Sequence, residues 1–184
     1  MGALKYQVHY TYSDYKEWEG KWELYEGYPI AMSPAPMLNH QMIAYAIAGE
    51  LRNNIKEKCR RCAVFGEADY KVSDDTIVRP DIVLTCNEQG KAYLTKAPEI
   101  IFEIISKSTA KNDETYKFSL YEREKVIYYC IVYPDDLRVK IYKLTENGYS
   151  KEGDFFTEIY TFEQSSCKAS IDFSEVFERF RDAL

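Results

Sequence analysis

The nine residues 98-PEIIFEIIS-106 decide how the rest of the chain is read. From Ile100 to Ile105 every position except Glu103 is β-branched or aromatic, so apolar side chains occupy both parities of the segment. That pattern predicts a strand covered on both faces, in the middle of a sheet, because a strand with one wet face would alternate. A carboxylate inside such a strand is costly unless it is paired or bound to a cation, which makes Glu103 the first residue to explain. Upstream, residues 62–72 and 76–86 read as two more strands joined by the turn Ser73-Asp74-Asp75. Before them, Ile43, Ala44, Ile47, Ala48, Leu51 and Ile55 recur at helical spacing across residues 38–58, and residues 23–32 alternate around Gly27 as a hairpin. Downstream, residues 111–125 predict a helix with Asp113, Lys117 and Tyr121 four apart on one face, capped at its start by Ser108 or Thr109. A hairpin follows around Pro134-Asp135-Asp136, and residues 173–184 form a short amphipathic helix. The order predicts one domain over residues 1–184, of α/β or α+β class, with helices packed on a mixed central sheet.

Composition narrows the function classes. With 184 residues, 46% of them apolar and 29% charged, and only 8 Gly and 6 Pro, the chain is neither disordered nor a disulfide-stapled miniprotein. Acidic residues outnumber basic ones 30 to 24, for a net charge of −6, which argues against a nucleic-acid coat over the whole surface. A local basic patch is still available from Arg52, Lys56, Lys58, Arg60 and Arg61, or from Lys107 and Lys111. No apolar run approaches the roughly 18 to 20 residues of a membrane span, so no membrane partner is expected. The polar, aromatic start lacks a signal-peptide pattern, and with five cysteines, an odd number, the expectation is a cytoplasmic protein with free thiols. Cys59 and Cys62 have the spacing of half a zinc site, but Cys86, Cys130 and Cys167 offer no second close pair and the only histidines are His9 and His40, so zinc is not expected. The 17 tyrosines, scattered through strand-like segments, read as sheet positions.

Two strand acids stand out, Glu103 and Asp81, the latter directly after Pro80. By period-two alternation Arg79, Asp81 and Val83 share one face of their strand, and Ile101, Glu103, Ile105 and Lys107 share one face of the other. If the strands are neighbours and the faces coincide, the carboxylates converge, and two hard oxygen ligands plus water suit Mg²⁺ or Mn²⁺. The alternative is that each acid simply pairs with an arginine or a lysine.

The run Arg79-Pro80-Asp81, then Phe102-Glu103-Ile104-Ile105-Ser106-x-Ser108-Thr109, then Asp113-x3-Lys117-x3-Tyr121, resembles the Uma-type restriction endonuclease family of the PD-(D/E)XK nuclease superfamily. Trp22-Glu23-Leu24 with Gly27, then Met32-Ser33-Pro34 and His40, add to the resemblance, which covers roughly residues 23–144. It implies a restriction-endonuclease-like core with an N-terminal hairpin, a divalent metal held by Asp81 and Glu103, and metal-dependent hydrolysis of phosphodiester bonds in DNA. The superfamily usually carries a lysine two residues after the glutamate, where this chain has Ile105. Lys117 matches the family's helix lysine and is the preferred replacement. Lys107, where the family more often has proline, ranks second. Against the role for Lys117 stands a solvated helix lysine paired with Asp113. His40 either reaches the metal site or, as is favoured, packs or caps at the start of its helix. Glu23 matches the additional acid the superfamily often supplies, with Glu50 in reserve, and an ordinary surface role is the alternative for both.

Residues 123–134, REKVIYYCIVYP, replace the family's Gly-Val-x-Glu-Tyr-Trp tendency, and there Tyr128 and Cys130 read as strand positions without chemical loss. The missing lysine motivates a second function, a DNA-binding or regulatory domain that lost turnover. The acidic charge motivates a third, a protein-interaction domain without nucleic acid. No reader module is present to confer sequence specificity, and analogy with nucleases that cut two strands points to a homodimer.

Overall fold

The computed structural model describes residues 8–32, 37–55, 59–106 and 110–181. Near the start, a reciprocal capping box between Thr11 and Asp14 opens a single helical turn, α1 (Tyr12–Tyr15). Strands β1 (Trp22–Tyr25) and β2 (Tyr28–Ala31) then form the expected hairpin. Its two turn residues, Glu26 and Gly27, have φ of 48° and 83°, a turn whose twist matches the flanking strands. A Cβ on Gly27 would stand 2.2 Å from the His9 ring, so the turn also depends on the absence of a side chain. Helix α2 (Leu38–Ile55) buries Ile43, Ile47, Leu51 and Ile55, the stripe its periodicity foretold.

The next region departs from expectation. In place of two long strands there are four short ones, β3 (Cys62–Gly66), β4 (Tyr70–Lys71), β5 (Ile77–Val78) and β6 (Ile82–Cys86). Proline lacks the N–H that a ladder needs, and Pro80 separates β5 from β6. Glu67, with φ of 49°, turns the chain between β3 and β4. The outer halves leave the main sheet and join the hairpin in a second sheet of order β2-β1-β5-β4.

Strand β7 (Ile100–Ile104) is buried at every position, as its sequence requires. The helical segment that follows comprises α3 (Ala110–Asn112), a π-helical turn at Asp113–Lys117, and α4 (Phe118–Arg123). The proposed caps Ser108 and Thr109, and Lys107 with them, lie outside the described residues. Strands β8 (Tyr128–Tyr133) and β9 (Arg138–Thr145) make the second expected hairpin. Three strands that the sequence did not disclose follow, β10 (Gly148–Phe155), β11 (Ile159–Thr161) and β12 (Ser170–Asp172), and then helix α5 (Phe173–Arg181).

The main sheet has the order β10-β9-β8-β7-β6-β3, with β7 and β8 parallel and the other neighbours antiparallel. A parallel pair needs a crossover, and the α3–α4 segment supplies it. On one face of the sheet, Phe102 and Ile104 pack with Ile43, Ile47 and Leu51 of α2 and with Val176 and Phe177 of α5. On the other, Val83, Ile101, Tyr129 and Ile131 pack with Leu120 and Tyr121 of α4 and with Tyr25 and Val78 of the second sheet.

The expectation of free thiols is corrected. Cys59 is disulfide-bonded to Cys167 and Cys62 to Cys86, and Cys130 is a buried free thiol. Spacing could not show this, because Cys62 meets Cys86 through strand register and Cys167 arrives from far along the chain. No described helix is long and apolar enough to cross a membrane.

Candidate active site

Of the residues singled out from sequence, Asp81, Glu103, Glu23, Asp113, Lys117 and Tyr121 gather where β6, β7, the π-helical turn and the hairpin meet, and His40 joins them from α2. Strand β7 directs Ile101 and Glu103 toward the second sheet, while its alternate residues enter the layer beneath α2. Above Glu103 lies the helical crossover, whose Asp113, Lys117 and Tyr121 point down on one face. The π-helical turn packs through a stacked pair, Tyr116 on Tyr25 with ring centroids 4.1 Å apart. It is also anchored by the Tyr129 hydroxyl, which donates to the Asp113 carbonyl at 2.8 Å.

Lys117 is the hub. Its Nζ stands 2.9 Å from Glu23 Oε1, 3.1 Å from Glu103 Oε1 and 3.4 Å from Asp113 Oδ1. All four residues are buried, with exposures of 4% for Lys117, 4% for Glu23, 3% for Glu103 and 2% for Asp113. The solvated helix lysine of the alternative reading is therefore absent: the Asp113 pairing exists, but inside the protein. Tyr121 donates to Glu103 Oε1 at 2.8 Å. Glu23 also accepts from the Arg79 backbone N–H at 2.8 Å and from the Tyr25 hydroxyl at 2.5 Å. Glu50 remains half-buried on α2, and the acid that reaches Lys117 from the first part of the chain is Glu23.

Asp81 sits beside this cluster. It precedes β6 in the Pro80 break rather than lying within a strand as expected. Its Oδ2 accepts the Ile104 backbone N–H at 2.7 Å and stands 3.3 Å from His40 Nε2. His40 is thus neither a cap nor simple packing: from the first turn of α2 its ring reaches the strand-end acid, and its Nδ1 is buried without a partner. Arg79 also departs from the alternation argument. Its side chain turns into the second sheet, where Nε donates to Asp69 Oδ1 at 2.6 Å and a terminal nitrogen reaches the Tyr15 hydroxyl at 3.3 Å. The strand break at Pro80 releases Arg79 from the face it would have shared with Asp81.

Electrostatics follow from three carboxylates surrounding one ammonium in a dry place. Burial pushes the Glu103 carboxyl well above the usual carboxylate range, with Asp113, Asp81 and Glu23 adding to the effect and Lys117 opposing it. For Lys117, burial works against the charge, but Glu103 and Glu23 outweigh it and hold the ammonium well above its ordinary value. Burial, reinforced by Glu103, likewise raises the Tyr121 hydroxyl. At His40, burial is outweighed by the hydrogen bond and charge of Asp81, so its pKa is raised.

This donor set fits a hard divalent cation. The cluster carries more carboxylate than ammonium, and a cation beside Glu103 would offset negative charge that burial disfavours there. Among the described residues, no three carboxylate or imidazole ligand atoms lie mutually within 4.8 Å, so a cation held by two of these acids would need water for the rest of its shell. Such a shell is what Mg²⁺ prefers. Sequence reading missed two contributors. The Tyr25 hydroxyl was signalled by its position two residues from Glu23 on the same strand face, whereas no local signal announces the Arg79 backbone N–H.

Fold and site together define a restriction-endonuclease-like α+β protein, with a mixed sheet carrying acidic residues at the ends of adjacent strands. A crystal structure of a protein from Anabaena variabilis ATCC 29413, described as a putative nuclease belonging to DUF820, superposes with a TM-score of 0.70 at 17% identity, over 92% of this chain and 98% of the other. No curated protein matches the sequence. The profile of the Uma2 family, described as "Putative restriction endonuclease", matches residues 12–163, and the chain belongs to that family.

Proposed function

We propose that the chain is a metal-dependent endonuclease, one domain throughout, that hydrolyses phosphodiester bonds in DNA, with Asp81 and Glu103 holding Mg²⁺ or Mn²⁺ and Lys117 assisting the attacking water. One observation carries this reading: a buried ammonium on the crossover contacts Glu103 and Glu23 beside the Asp81–His40 pair. When bound, the metal would polarise a phosphoryl oxygen and acidify a water. The protein's own groups have distinct tasks. His40 and the Ile104 N–H orient Asp81, Tyr121 holds one oxygen of Glu103, and Glu23 with Asp113 holds the Lys117 ammonium. Lys117 supplies positive charge near the strand ends, where it can favour a deprotonating water and stabilise charge developing on a phosphate. Its position on the crossover compensates for Ile105. Exposed Arg52, Arg60, Arg61 and Lys111 are candidates for phosphate contacts. Lys56, Lys58 and the second-ranked Lys107 fall outside the described residues. A homodimer would let two such sites cut both strands.

The test is nicking of supercoiled plasmid with Mg²⁺, with Mn²⁺ and with chelator. Cleavage is expected with either metal only, is abolished by Asp81→Asn and by Glu103→Gln, and is reduced about 10²- to 10³-fold by Lys117→Met. Purified, folded protein that cuts no DNA or RNA with either metal overturns the reading. A second reading is favoured by Ile105 and by the triple carboxylate hold on Lys117: a DNA-binding domain of nuclease fold without turnover. Salt-sensitive DNA binding that survives Asp81→Ala, without cleavage, supports that alternative.

A further inference from the structure

On the far side of the sheet from the carboxylates, at its β3 edge, four cysteines converge from four places in the chain. Cys59 lies in the turn after α2, Cys62 opens β3, Cys86 closes β6 directly opposite Cys62, and Cys167 lies in the loop between β11 and β12. The two disulfides are not independent staples. The sulfurs of Cys59, Cys62 and Cys167 all lie within 4.8 Å of one another, and the sulfur of Cys86 is bonded to that of Cys62. Three sulfurs thus form one close group, and Cys86, which stands outside it, is joined to it through its bond to Cys62. The backbone beneath it is hydrogen-bonded: the Cys59 N–H donates to Ile55, the Cys62 N–H to Cys59, and the Asn87 N–H to Arg61.

We propose that in the reduced protein these four cysteines bind one Zn²⁺ as a tetrathiolate, a structural site separate from the carboxylate centre. A tetrahedral ion with Zn–S bonds of about 2.3 Å sets its sulfurs roughly 3.8 Å apart, a span that fits inside the 4.8 Å enclosing three of them, once reduction lets Cys59 and Cys167 separate. Cys59 and Cys62 supply the two-residue spacing of a zinc knuckle, and register and the returning loop supply the pair that sequence spacing lacks. Four soft thiolates favour Zn²⁺ over Mg²⁺ or Ca²⁺. The complex carries two net negative charges, and the exposed Arg60 and Arg61 lie within the same turn. No coordination position is left open, so the role is to tie the end of α2, the sheet edge and the β11–β12 loop together. The exchange balances: each disulfide takes two electrons and two protons, from a dithiol that is itself oxidised to a disulfide or from a phosphine and water that become the phosphine oxide, and the four thiols release four protons as Zn²⁺ binds.

The experiment uses the whole chain, purified anaerobically with a phosphine reductant. Metal analysis is expected to find about one zinc per chain, and replacement by Co²⁺ to give a sulfur-to-cobalt charge-transfer band with intense tetrahedral visible bands. Both signals should be lost in Cys59→Ser and Cys86→Ser and retained in Asp81→Asn. Should the serine variants fail to fold, alkylation of wild-type protein followed by mass spectrometry replaces them: zinc should shield Cys59, Cys62, Cys86 and Cys167, and chelation should expose them. Reduced, folded protein that binds no zinc overturns the proposal, as does a weak octahedral cobalt spectrum, zinc retained by Cys59→Ser, or alkylation unaffected by chelation.

Discussion

The two faces of β7 solve opposite problems. Phe102 and Ile104 enter a layer built with α2 and α5 from aliphatic and aromatic side chains, where interdigitation alone fixes the structure. One residue away, Glu103 enters a layer where Lys117, Glu23, Asp113 and Tyr121 are equally buried and each needs the others. The comparison separates two kinds of tolerance. An apolar layer responds to lost volume in proportion, whereas a charged cluster fails when one partner is removed and the remainder is left unpaired.

A nearly isosteric substitution in each layer would break or sharpen that contrast. Lys117→Met is expected to have the largest effect, about 3–5 kcal/mol in urea unfolding at neutral pH, because three buried carboxylates lose their cation. Adding Glu103→Gln should recover part of the loss. The folded pKa of Glu103 is raised, so its favourable contribution is complete below its ordinary value of 4.5 and is lost as pH climbs through the folded value. Without the ammonium that opposes this shift, the variant's deficit should widen from acid toward neutral pH, and a flat deficit would contradict the account. In the apolar layer, Ile47→Val should cost about 1 kcal/mol, with no pH dependence. His40→Gln should have the smallest effect, below about 1 kcal/mol. Because the folded pKa of His40 is raised above 6.5, its stabilisation is complete below that value and fades as pH rises through the folded one. The variant should therefore approach wild type in alkaline buffer, as thermal melts across pH would show.

Much of this contrast was legible in the sequence, for reasons that particular residues make clear. The double-parity run around Glu103 needed a covered strand, and the i, i+4, i+8 spacing of Asp113, Lys117 and Tyr121 needed a common helical face. Both are local signals. Pro80 is visible in the sequence, but its consequence is not local: it separates β5 from β6, as Glu67 separates β3 from β4, and the Arg79 side chain turns away from Asp81. The contact between His40 and Asp81 depends on how α2 crosses the sheet, which no spacing encodes. The cysteine group was illegible for the same reason, since Cys59 and Cys167 are 108 residues apart. Strands β10 to β12 lack alternation strong enough to announce them: the β10 segment, Gly148–Phe155, is polar along most of its length.

The parallel pairing of β7 and β8 has a consequence for the order in which the molecule assembles. Hairpins close early because their ends are near in sequence, but β8 can register beside β7 only once the crossover has been drawn over the sheet. That same crossover delivers Lys117, and Glu23 must come from a hairpin formed at the other end of the chain. Until both arrive, Glu103 and its companions remain hydrated and separate. The crossover that permits the parallel pairing is therefore also one of the two elements that take Glu103 out of water.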